Sequence, residues 1–458
     1  MRLAELKINI LYLASQTISE ILMVLPFSAF LAVWISSATG GYRVLQLLLQ
    51  SIIVFIVVTL LIIIKPYLIW KSLGRERLLT SLMIAYIVFT TLFGVYAYER
   101  HRVNLTALLF SMVISLRFFV LFLVIFVLRQ QISWKPKWPK LLLLPAVPIV
   151  IFGLIQVFLP NDYLSHFGYS SSTILPYQYV NNDPSYLRIQ STLRGANPFG
   201  AYLVIIISTV VTLYLFRKKY RGLLVPFGIL SFIALFYTYS RSALLGAFLS
   251  VAMLTWWHAK FFQDKHVKKV TAAIVGTALV ATLIVGYSIK GSHFTQSVIL
   301  HTNSISKSSQ SSNDARSTYI RQGLKDIANE PFGRGPGTAG PASSHNNHPA
   351  RISENYFIQV GQEVGIVGLI MFLAIYGYVA YKLWQLKEEP LALMALGSLI
   401  GITFINMLSH AWTDETLSLL WWGLAGIALV PNVSKRYRSD ILNKKRKQYA
   451  KAKKAATT

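Results

Sequence analysis

Long apolar stretches recur along the chain and are separated by polar segments. A helix needs about 20 apolar residues to cross the ~30 Å hydrocarbon core of a bilayer, and twelve stretches meet this requirement. They are centred near Phe27, Phe55, Ala85, Ile114, Pro148, Ile207, Leu230, Ser250, Leu279, Phe372, Gly397 and Leu424. The pattern predicts an all-α, polytopic membrane protein with about 12 transmembrane helices.

The composition excludes several other classes of protein. Of the 458 residues, 54% are hydrophobic and 13% are charged, whereas soluble globular domains carry roughly 25% charged residues. The chain therefore lacks the polar surface of a soluble enzyme. It contains no cysteine, which excludes disulfides, thiolate nucleophiles and zinc–thiolate sites. No P-loop or G-x-G-x-x-G motif occurs, so the sequence gives no indication of an ATP-driven motor.

The net charge of +27 is unevenly distributed. If both termini are cytoplasmic, thirty of the 44 Lys and Arg residues fall in inner segments, in agreement with the positive-inside rule. Residues 435–458 then form a basic cytoplasmic tail that is attracted to anionic membrane lipids, and nucleic acid is not a predicted partner. Residues 1–434 form the predicted transmembrane domain.

Two predicted outward segments, residues 159–197 and 288–355, are unusually long. Loops of more than about 12–15 residues in a compact unit are usually functional or disordered. The second segment begins with a Ser-rich stretch, continues with a helical pattern that ends before Pro331, and closes with a Gly- and Pro-rich stretch. We therefore expect a helical extracytoplasmic loop, with an irregular part in which backbone amides can approach a ligand.

Arginine residues concentrate in these outward segments. Residues 288–355 carry seven Lys and Arg against four Asp and Glu, on the side that should be depleted of positive charge. Because the guanidinium fork matches phosphate oxygens in pairs, such a cluster suits a polyprenyl pyrophosphate head group. The alternative for each single arginine is an interface anchor or a local ion pair. The candidates are Arg188, Arg194, Arg241, Arg316 and Arg321.

Four motifs within residues 190–380 resemble the O-antigen ligase and polymerase superfamily, whose members are bacterial membrane glycosyltransferases. Members typically have an Asn-Pro pair before a span, S-R-[SG] at the start of a span, an Arg helix followed by P-x-x-G-x-G, and [HDE]-N-x-[YF]-[LI] followed by Glu-x-Gly-x-x-Gly. The chain has these motifs in the same order: NPFGAYL, YSRSALLGAFLS, RSTYIR with PFGRGPG, and ENYFIQVGQEVGIVGL.

The resemblance implies a type-C glycosyltransferase-like fold in the bacterial plasma (inner) membrane. It implies an inverting, metal-independent transfer of a glycan from an undecaprenyl-pyrophosphate carrier to a glycan or lipid acceptor, without a cofactor. The reaction is that of a polymerase or that of a ligase. Arg241 and Arg316 match the arginine positions implied to hold the pyrophosphate, and Arg321 is a weaker match.

A general base must also accept the proton of the attacking hydroxyl. In the ligases the residue before the Asn of the last motif is a His, whereas this chain has Glu354 there. Glu354 is the candidate base, His345 and His348 are alternatives, and a structural role for all three is the remaining interpretation. A second hypothesis for the whole chain is a transporter or flippase of lipid-linked glycans, although the paired repeats expected of a transporter are not visible.

Three further features have two interpretations each. Glu363 and Gly365 belong either to the chemistry or to helix packing. The charge of Arg117 inside a span either lines a substrate cavity or pairs with Glu20. His410 lies in a short outward turn that is either a wall of the site or solvated.

Overall fold

The computed structural model describes residues 2–39, 76–129, 132, 134–181, 183–261 and 312–430. In these ranges the helices are α1 Arg2–Val24, α2 Ser28–Thr39, α3 Arg77–Glu99, α4 Leu105–Val127, α5 Trp138–Ile155, α6 Ala196–Phe216, α7 Arg221–Tyr237, α8 Arg241–Phe261, α9 Ser312–Asn329, α10 Tyr356–Gln385, α11 Pro390–Asn406 and α12 Glu415–Leu429. A small antiparallel sheet pairs β1 Gln178–Val180 with β2 Asp183–Arg188, with Tyr179 opposite Leu187.

The predicted all-α membrane fold is confirmed. Eight helical segments of the described chain are long and apolar enough to cross a membrane, and α11 and α12 are shorter apolar helices. Ten of the twelve predicted centres fall on these segments. The other two, Phe55 and Leu279, lie outside the described residues, as do the tail 435–458 and residues 288–311 of the second long segment.

Helix α6 lies at the centre of the bundle and is buried along most of its length. It packs against α7, α8 and α11. Helices α8 and α11 approach most closely at a pair of glycines, since a Cβ atom on Gly246 would lie 2.8 Å from the carbonyl oxygen of Gly401. Small residues allow such close backbone approach between membrane helices. By contrast α7 leaves large apolar side chains exposed, as expected of a lipid-facing helix.

The connections at the two ends of the bundle differ in length. One end is joined by short turns and by ion pairs, Lys135 with Glu389 at 2.9 Å and Lys382 with Glu76 at 3.0 Å. The other end carries the segment 159–197 and the described part of 288–355. Both segments that were predicted to face outward therefore lie together. That this end is extracytoplasmic stays a prediction.

Candidate functional site

A cavity of about 470 Å³ opens at the end of the bundle that carries the long segments. Its walls are the first half of α4, the first two turns of α6, the start of α9, the segment before α10 and the turn between α11 and α12. Four of the eight predicted site residues, separated by up to 160 positions in the sequence, line this one cavity: Arg194, Arg316, His345 and Glu354.

Arg316 and Glu354 form an ion pair in the cavity wall. The Nε atom of Arg316 donates to Oε2 of Glu354 at 3.0 Å, and the side chains are 26% and 36% exposed. The neighbouring Asn355 begins α10. Its Oδ1 accepts from the backbone N–H of Ile358 at 3.0 Å and its Nδ2 donates to the carbonyl of Met407 at 2.9 Å. The carboxylate is therefore held by a fixed helix start, in line with the N-cap preference for Asn.

Backbone strain accompanies the candidate residues. Glu354 has φ 49°, Tyr239 has φ 48° and Ser191 has φ 52°, which is the left-handed region that non-glycine residues rarely adopt. Tyr239 lies two residues before Arg241, and Ser191 lies three before Arg194. Each such conformation costs about 1–3 kcal/mol and persists only where surrounding contacts fix it. The chain thus holds strained backbone at three separate points around one site.

Arg241 lies beside the cavity at the start of α8. Its guanidinium is close enough to that of Arg316 for the two charges to repel each other. The guanidinium groups of Arg194 and Arg117 are also close enough to repel each other. Positive charges that are held close together in this way favour the binding of a group with several negative charges.

Arg188 lies behind the cavity wall. Its Nε donates to the carbonyl of Thr238 at 2.9 Å, and its guanidinium donates to Oδ1 of Asn197 at 2.6 Å. Burial lowers the pKa of Arg188 to about 10, so the side chain is still charged at neutral pH. Because Asn197 itself lines the cavity, Arg188 contributes to the site by positioning that amide.

Arg321 and His348 lie outside the cavity. Five residues along a helix correspond to a rotation of about 140°, so Arg321 is exposed on a different face of α9 from Arg316. The Nε2 atom of His348 lies 3.2 Å from the carbonyl of His101. His345 instead packs its ring against Phe110 in the cavity wall, with 4.5 Å between the ring centroids.

The turn between α11 and α12 adds His410 to the site. His410 lines the cavity, and its Nε2 is a buried atom that has no hydrogen-bond partner in the described part of the chain. Burial lowers the pKa of His410 to about 4, so the imidazole is neutral at physiological pH. From the sequence, His410 was predicted only as part of an outward turn, because a single His between two spans has no motif around it.

Arg117 stabilises the same turn. It is buried in α4 and donates to the carbonyl of Thr413 at 2.7 Å, while Asp414 and Glu415 are near enough to attract it. These neighbours lie in the turn before α12 and at its first residue. The alternative pair with Glu20 stays a prediction.

The Gly- and Pro-rich segment packs against a break in α10. Gly365 interrupts the helix with φ 70°, and the backbone N–H of Gly335 donates to the carbonyl of Glu363 at 2.8 Å. The carboxylate of Glu363 is buried and accepts from the N–H of Gly337 at 2.8 Å and from the hydroxyl of Ser111 at 3.0 Å. Amides that were expected to approach a ligand are thus bonded to α10, and the geometry of Glu363 and Gly365 is that of a packing feature.

A polar network fixes α9 over this segment. Asp326 accepts from the side-chain amide of Gln362 at 2.7 Å. Arg351 donates to Glu330 at 2.9 Å and lies 3.9 Å from Asp326. The helix that carries Arg316 is therefore attached to α10 and to the segment before it. In the described ranges, no three His, Asp or Glu side chains come together as a metal site would require.

Two comparisons with known proteins agree with this arrangement. The sequence profile of the O-antigen ligase family matches residues 226–373, which include Arg241, Arg316 and Glu354. An O-antigen polymerase of Salmonella muenchen is 24% identical over 292 residues, which cover 62% of this chain and 70% of that protein. Together with the ordered motifs and the membrane-spanning helices, these matches support the resemblance of the chain to the O-antigen ligase and polymerase superfamily.

Proposed function

We propose that the chain transfers a glycan from an undecaprenyl-pyrophosphate carrier to an acceptor hydroxyl on the extracytoplasmic side of the membrane. The similarity to the O-antigen ligase and polymerase superfamily supports an enzyme of surface polysaccharide synthesis in the bacterial inner membrane. The observation that carries the finer proposal is the single cavity that joins Arg194 and Arg316 to Glu354, with Arg241 beside it.

The arginines bind the pyrophosphate in this proposal. The donor brings a group with several negative charges into a cavity where like charges already face one another. As the bond between the anomeric carbon and the phosphate oxygen breaks, its electron pair moves to the departing pyrophosphate. Guanidinium groups that are held in place before the reaction stabilise that developing charge without reorganisation. No metal ion is assigned a part in this step.

The acceptor hydroxyl attacks the opposite face of the anomeric carbon, so the configuration there inverts. Its oxygen forms the new glycosidic bond, and its proton passes to Glu354. In the structure Glu354 forms an ion pair with Arg316. When the pyrophosphate competes for Arg316, the carboxylate loses its partner and becomes able to accept a proton. Binding of the donor thereby prepares the base.

His345 remains an alternative base because it also lines the cavity. The contact of His348 with the carbonyl of His101 gives less support to that residue. His410 is a neutral group near the same space and suits a hydrogen bond with a sugar hydroxyl. A polymerase would use a second lipid-linked glycan as acceptor, and a ligase a different acceptor molecule.

The test is a transfer reaction with purified protein in nanodiscs. Undecaprenyl-pyrophosphate-linked repeat units from the source organism are supplied without ATP, and the products are separated by size. A ladder of longer lipid-linked glycans supports a polymerase, and movement of the glycan to an added acceptor supports a ligase. If neither product forms, the transferase proposal is overturned and translocation of the lipid-linked glycan becomes the hypothesis to measure.

A further inference from the structure

A second large cavity lies at the opposite end of the bundle. It is a groove of about 760 Å³ between α5, α6 and α7. It is formed by the first half of α5, the last turn of α6 and the first half of α7, whereas the candidate site uses the first two turns of α6. The two cavities are therefore separated by the length of a membrane-spanning helix.

The walls of the groove are apolar and face outward from the bundle. They include Leu143, Leu144 and Val147 on α5, and Leu223 and Phe227 on α7. Leu144 is 62% exposed and Leu223 is 76% exposed. Side chains of this kind on spanning helices face hydrocarbon, so the groove is open to the interior of a bilayer.

The rim of the groove is basic. Lys137, Lys140 and Arg217 line it and are exposed, and in the described ranges none of them forms an ion pair. Lys135, only two residues from Lys137, provides a contrast. It is buried, lies 2.9 Å from Glu389, and donates to the carbonyls of Ala428 and Val430 at 3.0 and 2.6 Å. Lys135 therefore stabilises the packing of the bundle, whereas Lys137 and Lys140 face the groove.

We propose that this groove binds an anionic phospholipid of the bilayer. The phosphate lies among Lys137, Lys140 and Arg217, and an acyl chain follows the apolar wall between α5 and α7. Basic pockets between spanning helices are suited to anionic head groups, and long Lys and Arg side chains can extend from an apolar wall to the membrane surface. The chain's own tail, residues 435–458, repels the rim because it is also strongly basic. The proposal does not depend on the glycan-transfer reaction.

The charges of the rim are tested by lipid binding to the purified full-length protein. Native mass spectrometry in detergent compares added dioleoylphosphatidylglycerol with dioleoylphosphatidylcholine, which has the same acyl chains. We expect the anionic lipid to bind about tenfold more tightly, since the basic side chains of the rim attract a head group with a net negative charge. The variant Lys140→Gln/Arg217→Gln should lose this preference. The matched control Lys218→Gln/Lys219→Gln removes two charges beside the groove without changing its lining, and should keep it.

The apolar wall is tested by Leu144→Trp, which fills the groove without changing the charge. Because Leu144 is largely exposed, this variant should fold, which size-exclusion chromatography checks. It should weaken the binding of phosphatidylglycerol, and inorganic phosphate should not displace the lipid. The proposal is overturned if the two lipids bind equally, if both double variants lose the preference to the same extent, or if Leu144→Trp binds phosphatidylglycerol like the unmodified protein.

Discussion

Both cavities are lined by positively charged side chains, but the contacts of these side chains differ. In the candidate site, Arg316 is paired with Glu354, and Arg188 is bonded to Thr238 and Asn197. In the groove, Lys140 is exposed on a first helical turn. Charged side chains that are fixed by ion pairs or hydrogen bonds suit catalysis, because they keep their positions while charge develops on the substrate. Exposed charge suits the retention of a mobile lipid. The position of a positive charge therefore says less about its role than the contacts that hold it.

Arg316→Ala should break the candidate site most severely. We expect glycan transfer to fall about a thousandfold, since removal of one preorganised group that stabilises developing charge costs about 10²–10³ in rate. Arg241→Ala should also be strongly impaired. The matched control is Arg321→Ala on the same helix, which should stay within about threefold of the unmodified protein. Equal rates for Arg316→Ala and Arg321→Ala would remove the assignment of Arg316.

Glu354→Gln should lower the maximal rate about a hundredfold, because a positioned base contributes roughly 10²–10⁴. Binding of the donor should stay equal or become tighter, since Arg316 loses a competing carboxylate. Single-turnover rates and donor titrations separate the two effects. Glu330→Gln, at an acid that is also paired with an arginine but does not line the cavity, is the control. Loss of donor binding without loss of rate would instead indicate a structural role for Glu354.

Gly333→Ala tests how firmly the glycine-rich segment is attached to α10. Gly333 has φ 80°, and an added Cβ would lie 2.7 Å from the carbonyl of Glu363. The strain should cost about 2 kcal/mol and lower the melting temperature by several degrees. The control is Gly377→Ala in α10, where an added Cβ would meet no atom within 4 Å. This variant should leave the melting temperature equal or slightly higher. An unchanged melting temperature in Gly333→Ala would contradict the close packing.

His410 should give the smallest effect at neutral pH, a change in stability that grows as the pH falls. Its pKa is about 4 in the folded chain and about 6.5 when unfolded, so the unfolded chain binds the proton first as the pH falls. The stabilising contribution of the neutral ring is complete above pH 6.5 and is lost between about pH 6.5 and 4. His410→Gln should therefore lose less stability than the unmodified protein between pH 7.5 and 5. If the melting temperatures of His410→Gln and of the unmodified protein decline equally over this pH range, the lowered pKa of His410 is disproved.

Hydropathy was sufficient to predict the membrane fold, because the demands of a bilayer act on every residue of a span. The ten predicted centres in the described ranges all lie in apolar helices. The motifs also identified Arg316 and Glu354 as candidate site residues, and both line one cavity. These residues were predictable because each belongs to a pattern of several residues.

Side-chain direction was the part that the sequence could not provide. Arg321 and His348 are as close to the motifs as Arg316 and His345, yet helix rotation and loop path direct them elsewhere. His410 entered the site only through the packing of a turn that has no motif. Glu363 had two interpretations until its partners, Gly337 and Ser111, were visible.

The contact between the glycine-rich segment and α10 also limits where the chain can tolerate changes in length. Backbone bonds join Arg334 to Gln362 at 3.0 Å, Gly335 to Glu363 at 2.8 Å and Ile366 to Pro331 at 2.8 Å. An insertion or deletion between Pro331 and Gly335 would shift this register and leave the buried carboxylate of Glu363 with the wrong donors. Pro349 and Ala350 are exposed and lie between two residues that are held in place, His348 against the carbonyl of His101 and Arg351 by its ion pair with Glu330. We therefore expect an insertion between Pro349 and Ala350 to be tolerated better than one between Pro331 and Gly335.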